Sequence, residues 1–382
     1  MRVAYLSGSE IPSRAANTVH VMKMCAAFAG QGHQVDLWAR TTRHLASSAF
    51  RDFGVPPVFR IHAARWPPLP FGIGSGTFAL QVMAGAHCSR PDLIYGRHLP
   101  SIFGLASMGS LAALEMHTPP ENALKATLIQ RLLRMPAFLG IVVISDALKQ
   151  HFLGLFPTAE RHIFVAHDGA DPPCEERTEF GRKAQNNGRP QVGYVGHLYP
   201  GRGIELILEL AQRMPAVDFH LVGGTDADLR RWSQSAGEQA NIRFHGYVRH
   251  ADLARHYASF DVLLAPYQSR VAISGGAGDT SRWMSPLKLF EYMAQRKPLV
   301  VSDLPVLREI VQHERTALVC RADDVRDWQS AIERLSQDEE LSRRLSAAAY
   351  YDFNRFYTWT TRAQAILNFL DAQRCAKRIQ IT

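Results

Sequence analysis

The chain alternates short apolar runs with stretches of helical period, and it does so in two separate series. The first opens with Arg2–Ser7, where VAYL is closed by Ser-Gly-Ser, and reads as a buried strand. A helix then follows around Asn17-Thr-Val-His-Val-Met, with Asn17 expected as its N-cap and Gly30 and Gly32 as its stop. Gln34–Ala39 is the next strand. Strand, helix and strand in so short a span form a βαβ unit and imply a parallel sheet with crossover helices. Further strands are expected at Asp92–Tyr95, Leu111–Met116, Ile141–Ile144 and Ile163–Ala166. Asp168–Pro190 then breaks the pattern with a polar stretch holding three prolines. The second series has strands at Gln191–Val195, Asp218–Val222, Asn241–Phe244, Asp261–Ala265 and Pro298–Ser302. Helices are expected at Gly203–Leu210, His250–Ser259, Leu287–Ala294, Asp324–Leu335 and Thr358–Leu370.

The expected fold class is therefore α/β, with two doubly wound Rossmann-like domains facing a cleft. The boundaries read as 1–170, a linker at 171–189, a second domain at 190–355, and a helix in 356–382 that returns to the first domain. Open parallel sheets bind ligands beyond the C-terminal ends of their strands, so candidate residues are sought there.

Composition narrows the function classes. At 46% hydrophobic residues the chain can bury real cores and is not a disordered tail. Its five cysteines are scattered, with no C-x-x-C pair, so neither a disulfide scaffold nor a cysteine zinc site is expected. Phe71–Cys88 is apolar but interrupted by Gly72, Gly74, Gly76, Gln81 and His87, which argues against a membrane span. The opening MRVAYLSGSE turns polar too early for a secretory signal, so a cytoplasmic protein is expected.

Three motifs carry chemistry. In Ser285-Pro-Leu-Lys-Leu-Phe-Glu291, Ser285 is expected as N-cap and Pro286 as first helical residue. The N–H groups of Leu287 and Lys288 then face an anion such as phosphate, and Glu291 offers a carboxylate one turn on. In Gly196-His197-Leu-Tyr-Pro-Gly201-Arg202-Gly203 the glycines admit a ligand close to the backbone, and Arg202 can clamp a diphosphate. The loop lacks the Lys and Ser/Thr of a Walker motif, which excludes nucleoside-triphosphatase chemistry of that kind. In Glu115-Met-His117-Thr-Pro-Pro, His117 follows a strand end, where catalytic groups gather. Each motif also has a plain structural reading: a capped helix, a tight turn, a hydrogen-bonded histidine.

Together SPLKLFEYMA with KPLVVSDLPVLREIV, VGYVGHLYPGRGIELIL, NIRFHGYV before DVLLAPY, IPSRAANTVHVMKMCAAFA and LEMHTPPE resemble the retaining glycosyltransferases of family 4, with the GT-B fold. The resemblance implies a nucleotide-diphospho-sugar donor bound mainly by the second domain, with no cofactor and no metal. It assigns Glu291 to the ribose hydroxyls, and Ser285 with the N–H groups of Leu287 and Lys288 to the diphosphate. Arg202 matches the basic clamp, with Gly196 and His197 beside it. His117 matches the histidine that touches the donor sugar, and Ala16, Asn17 and Thr18 lie on the acceptor side. Two positions depart from the family. Its first conserved-spacing Glu falls on Trp283, with Asp279 the nearest upstream carboxylate, and His197 stands where Arg is frequent.

Two rivals share these features: a non-catalytic nucleotide-sugar-binding subunit, motivated by Trp283, and a nucleotide-sugar epimerase. The expected partners are a nucleotide-sugar donor and a lipid-linked or glycan acceptor from envelope or exopolysaccharide synthesis, with no nucleic acid. Residues 1–170 hold 15 Lys+Arg against 9 Asp+Glu, most of the chain's net charge of +8. Arg60, Arg65, Lys125, Arg131 and Arg134 lie in or beside apolar stretches, which suggests peripheral contact with an anionic membrane on its inner face.

Overall fold

The computed structural model describes residues 1–67, 73–173, 188–272 and 278–379. Most of the expected linker and the centre of the glycine-rich loop before Ser285 therefore lie outside the described residues. The chain divides into two compact units, Met1–His167 with Trp359–Thr382, and Asp168–Thr358.

The first unit is built on a seven-stranded parallel sheet of β1 (Arg2–Glu10), β2 (Gln34–Arg40), β3 (Arg60–Ala64), β4 (Leu93–Gly96), β5 (Ala112–Met116), β6 (Phe138–Val143) and β7 (Ile163–Val165). Their order is β3-β2-β1-β4-β5-β6-β7, reversing direction between β1 and β4. Val3, Ala4, Tyr5 and Leu6 of β1 are fully buried, as a central strand covered on both faces requires. The helix Trp359–Ile379 packs in this unit against the helix Ala16–Gly30 and against β6. Phe369 stacks on Phe164 at 5.0 Å, and Lys377 Nζ donates to the carbonyls of Met135 and Pro136 at 3.0 and 3.1 Å.

The second unit has a six-stranded parallel sheet of β8 (Gln191–Val195), β9 (Asp218–Val222), β10 (Ile242–Gly246), β11 (Val262–Ala265), β12 (Leu299–Ser302) and β13 (Leu318–Cys320), in the order β10-β9-β8-β11-β12-β13. Here the reversal lies between β8 and β11. Trp328, Phe219, Leu221, Ile207 and Leu210 fill its core.

Several local expectations need correcting. The first helix begins at Ala16, with Ala15 as N-cap and no capping side chain, so Asn17 sits inside the first turn. The hydroxyl that works there is that of Thr18, which donates to Glu10 O at 3.2 Å and lies 2.7 Å from Ser13 Oγ. The helix Leu287–Ala294 has Pro286, not Ser285, at its N-cap. Ser285 Oγ instead accepts the backbone N–H of Asp168 at 2.8 Å. His250–Ser259 is not one helix: a 3-10 turn at His250–Asp252 precedes a helix at Ala254–Ser259. That break turns His250 away from the helix so that it can reach Glu291. Among the described residues no helix is long and apolar enough to cross a membrane.

Candidate functional site

The donor-side candidates gather where the second sheet reverses, at the ends of β8 and β11. Tyr292 pins the end of β8, donating to Val195 O at 3.2 Å and accepting from Val195 N–H at 2.7 Å. Gly196 follows with φ 149°, and a Cβ there would stand 2.8 Å from Lys288 Nζ, so glycine is required for the lysine to lie where it does. Tyr194 donates to His197 O at 2.6 Å, and the His197 ring stacks on Tyr199 at 4.8 Å. Gly203, at φ 79°, approaches Pro266 so closely that a Cβ would lie 1.9 Å from its carbonyl oxygen. These contacts fix the loop that carries Arg202.

Two cations converge on one aromatic ring. Arg202 Cζ lies 5.3 Å and Lys288 Nζ 5.0 Å from the centre of Tyr267. Lys288 Nζ is closer still to Tyr194, at 3.7 Å. Lys288 is only 8% exposed, and neither its Nζ nor Arg202 Nε has a hydrogen-bond partner among the described residues. Arg202 reaches one carbonyl, Ala272 O, at 3.4 Å. Burial pulls the Lys288 ammonium well below its usual range, the neighbouring Arg202 adds to this, and Glu291 opposes it. Burial also raises the Tyr267 hydroxyl to about 12 against the pull of Arg202, so it is neutral near pH 7. The sequence reading gave Lys288 a role through its backbone N–H; the side chain is the more telling part.

Glu291 is held from two sides. His250 Nε2 lies 2.8 Å from Oε1, and Tyr257 donates to Oε2 at 2.9 Å. These partners orient the carboxylate, which as an ion only accepts hydrogen bonds. Asp279 turns inward to its own loop: its Oδ1 accepts the N–H groups of Val271 and Ser281, both at 2.9 Å. Trp283 is covered by Arg282 at 5.1 Å.

The first unit holds a different cluster, at the end of β5. Glu115 is fully buried, and three nitrogens share its Oε1: Arg362 at 2.7 Å, His20 at 2.8 Å and His117 at 2.8 Å. Its Oε2 accepts from Tyr95 at 2.7 Å and Tyr5 at 3.3 Å. Burial pushes this carboxyl up, but Arg362, His20 and the imidazole hydrogen bonds outweigh it and hold it well below the usual range. An ionised carboxylate only accepts, so His117 donates to it from Nε2. The rings of His20 and His117 meet edge to face at 4.7 Å, and Trp359 closes on His20 at 5.4 Å. Ala16 and Asn17 are exposed at the start of the helix that carries His20.

Sequence reasoning found His117 but missed Glu115, His20 and Arg362. Glu115 had a signal, because residues two apart on a strand share a face. Arg362 had none, being 247 residues from its partner.

Two family descriptions match the chain: "Glycosyltransferase Family 4" over residues 18–173 and "Glycosyl transferases group 1" over residues 189–338. Among curated proteins, the chain is 23% identical over 300 residues to a putative glycosyltransferase, YtcC, of Bacillus subtilis, covering 72% of this chain and 71% of that protein. It is 24% identical over 247 residues to a GDP-mannose-dependent alpha-(1-6)-phosphatidylinositol monomannoside mannosyltransferase of Mycobacterium tuberculosis. That match covers 62% of this chain and 63% of the mycobacterial protein, just under two thirds of its length. Among solved structures, sucrose-phosphate synthase from Thermosynechococcus elongatus superposes with a TM-score of 0.74 at 17% identity, covering 98% of this chain and 100% of the other. Anabaena HepE in complex with UDP and glucose gives 0.70 at 16%, covering 97% and 99%. With both halves matched and two doubly wound parallel sheets in place, the chain belongs to the family 4 glycosyltransferases of group 1, with the GT-B fold.

Proposed function

We propose that the chain transfers a sugar from a nucleoside-diphosphate sugar to a lipid-linked or glycan acceptor, with retention at the anomeric carbon and without a metal. The observation that carries this reading is the pair of side chains over Tyr267, a buried Lys288 and a half-buried Arg202. Lys288 Nζ and Arg202 Nε lie by one aromatic ring with no hydrogen-bond partner among the described residues. Burying an ammonium without a hydrogen-bond partner is costly, and a dianion would supply Lys288 with one and Arg202 with a counter-charge. A departing nucleoside diphosphate gains negative charge as its bond to the sugar breaks. Cations already aimed at that place stabilise the transition state more than the ground state.

The other residues take complementary roles. Glu291, oriented by His250 and Tyr257, accepts the ribose hydroxyls. The N–H groups of Leu287 and Lys288 add to the diphosphate site at a helix N-terminus. His117 lies at the sugar, and the anomeric carbon passes through an oxocarbenium-like state. The acceptor attacks from the face the leaving group vacates, and the leaving phosphate takes its proton. Asp279 is committed to its own loop, so this reading gives it no contact with the sugar.

Titration with UDP, GDP and ADP, followed by calorimetry, tests the site. One of them should bind the wild type, and Lys288→Met should weaken that binding. Equal affinity in both would overturn the assignment. The mycobacterial relative acts on a phosphatidylinositol mannoside, and a lipid-borne acceptor also suits the basic first unit. Lys125 is paired with Glu121 at 2.8 Å and drops out of that basic set, whereas Arg60, Arg65, Arg131 and Arg134 are exposed. Leu124, 69% exposed, sits on the same helix as Arg131. Flotation on vesicles with and without phosphatidylglycerol should show binding only to the anionic ones; equal behaviour refutes the membrane contact.

A further inference from the structure

The Glu115 cluster draws its cation from the far end of the chain. Arg362 is 2% exposed and spends its guanidinium on four groups within the first unit. Its Nε donates to His167 O at 2.9 Å, and its second terminal nitrogen donates to Ala166 O at 3.2 Å and Glu115 Oε1 at 2.7 Å. Its remaining nitrogen lies 3.1 Å from Met24 Sδ. Trp359, one turn earlier on the same helix, packs its ring against His20. The carboxylate is thereby anchored on one side by a rigid planar fork and on the other by Tyr95 and Tyr5. His117 hangs from that anchored oxygen.

We infer that Arg362, supported by Trp359, is a positioning residue for His117, acting through Glu115. The guanidinium fixes Oε1, and Oε1 fixes the His117 ring by accepting from its Nε2–H. The helix Trp359–Ile379 thus sets the chemistry presented at the end of β5, besides packing on the first unit. The inference rests on the reading of His117 as a sugar-side residue, and its test does not depend on that reading.

The full-length protein, labelled with 15N at histidine, reports the tautomer directly through the ring nitrogen shifts. His117 is identified by comparison with His117→Gln. The wild type should give one Nε2–H pattern for His117. In Arg362→Gln the fork and its charge are gone, and His117 should show mixed tautomers. Arg362→Lys keeps the charge but not the fork, and should fold with a broadened or doubled His117 signal. Should Arg362→Gln fail to fold, the pair Glu115→Gln with Arg362→Met leaves no unpaired charge and should likewise lose the single tautomer. A His117 pattern identical to wild type in Arg362→Lys, and in whichever of the other two folds, overturns the inference. Binding of UDP, GDP or ADP, measured in parallel, should match wild type throughout. Turnover by His117→Ala is a separate readout: wild-type rates there would remove His117 from the reaction while leaving the tautomer result standing.

Discussion

The two units bury charge in opposite ways. In the second, two cations lie over one tyrosine with hydrogen-bonding capacity unmet. In the first, one carboxylate is crowded by five polar side chains, four of them hydrogen-bonded to it and so filling its roughly four acceptor positions. A cluster short of partners is arranged for something that comes and goes. A cluster with a surplus is arranged to stay put and hold a neighbour in place. On the proposed reading, the same element of cost, a charge taken from water, serves binding in one sheet and rigidity in the other.

The contrast can be broken by substitution. Glu115→Gln should give the largest effect, because it leaves Arg362 buried without a counter-charge. A loss of about 3–5 kcal/mol in stability is expected. Denaturant titration with the nucleotide affinity as control would show it; an unchanged midpoint would mean that the first cluster is no more tightly built than the second. Arg202→Ala should lower kcat/KM by about 2–4 kcal/mol of transition-state stabilisation while the fold persists. Near-normal turnover would dismiss the pair of cations as a reaction site. Lys288→Met should cost about 1.5–3 kcal/mol in nucleoside-diphosphate binding, as for a hydrogen bond to a charged group. It should also raise the melting temperature, since it removes a buried ammonium with no hydrogen-bond partner among the described residues. A fall in melting temperature would show that the lysine is structural after all.

Acid provides the mildest test. Burial lowers His98 of the first unit to about 4, with Lys125 adding to it. Burial likewise lowers His220 of the second to about 4, with His245 and Arg243 adding to it. Their unfolded value is 6.5, so between these values the unfolded chain binds more protons. The stability they contribute is complete above pH 6.5 and is lost as pH falls toward 4. Thermal melts at stepped pH should decline over that window. The decline should be shallower in His220→Gln, whose amide needs no charge. A flat profile would contradict the burial of both rings.

The fold was legible because central parallel strands are continuous apolar runs; β8 and β9 fall where VGYV and DFHLV lie. The edges were not. β3 reads RIHAA, half polar because one side is uncovered, and β13 has only three residues. Caps were misplaced by a residue or two, since Ser285 satisfies Asp168 rather than its own helix. At the candidate site, Arg202 and Glu291 were singled out from their loops and spacing. Lys288 was seen only as backbone, because a lysine in a helix reads as solvated until its aromatic neighbours are known. Arg362 looked like any charged residue of a terminal helix.

The return of Trp359–Ile379 has a consequence for synthesis. The second unit is, in chain order, an insertion between His167 and Trp359. A ribosome delivers Glu115, His20 and both tyrosines long before it delivers Arg362. The nascent first unit therefore carries an acidic hole in its interior while the whole second unit is made, and folding there cannot be completed from the amino end. The later unit has all its own strands in one continuous stretch and can finish first.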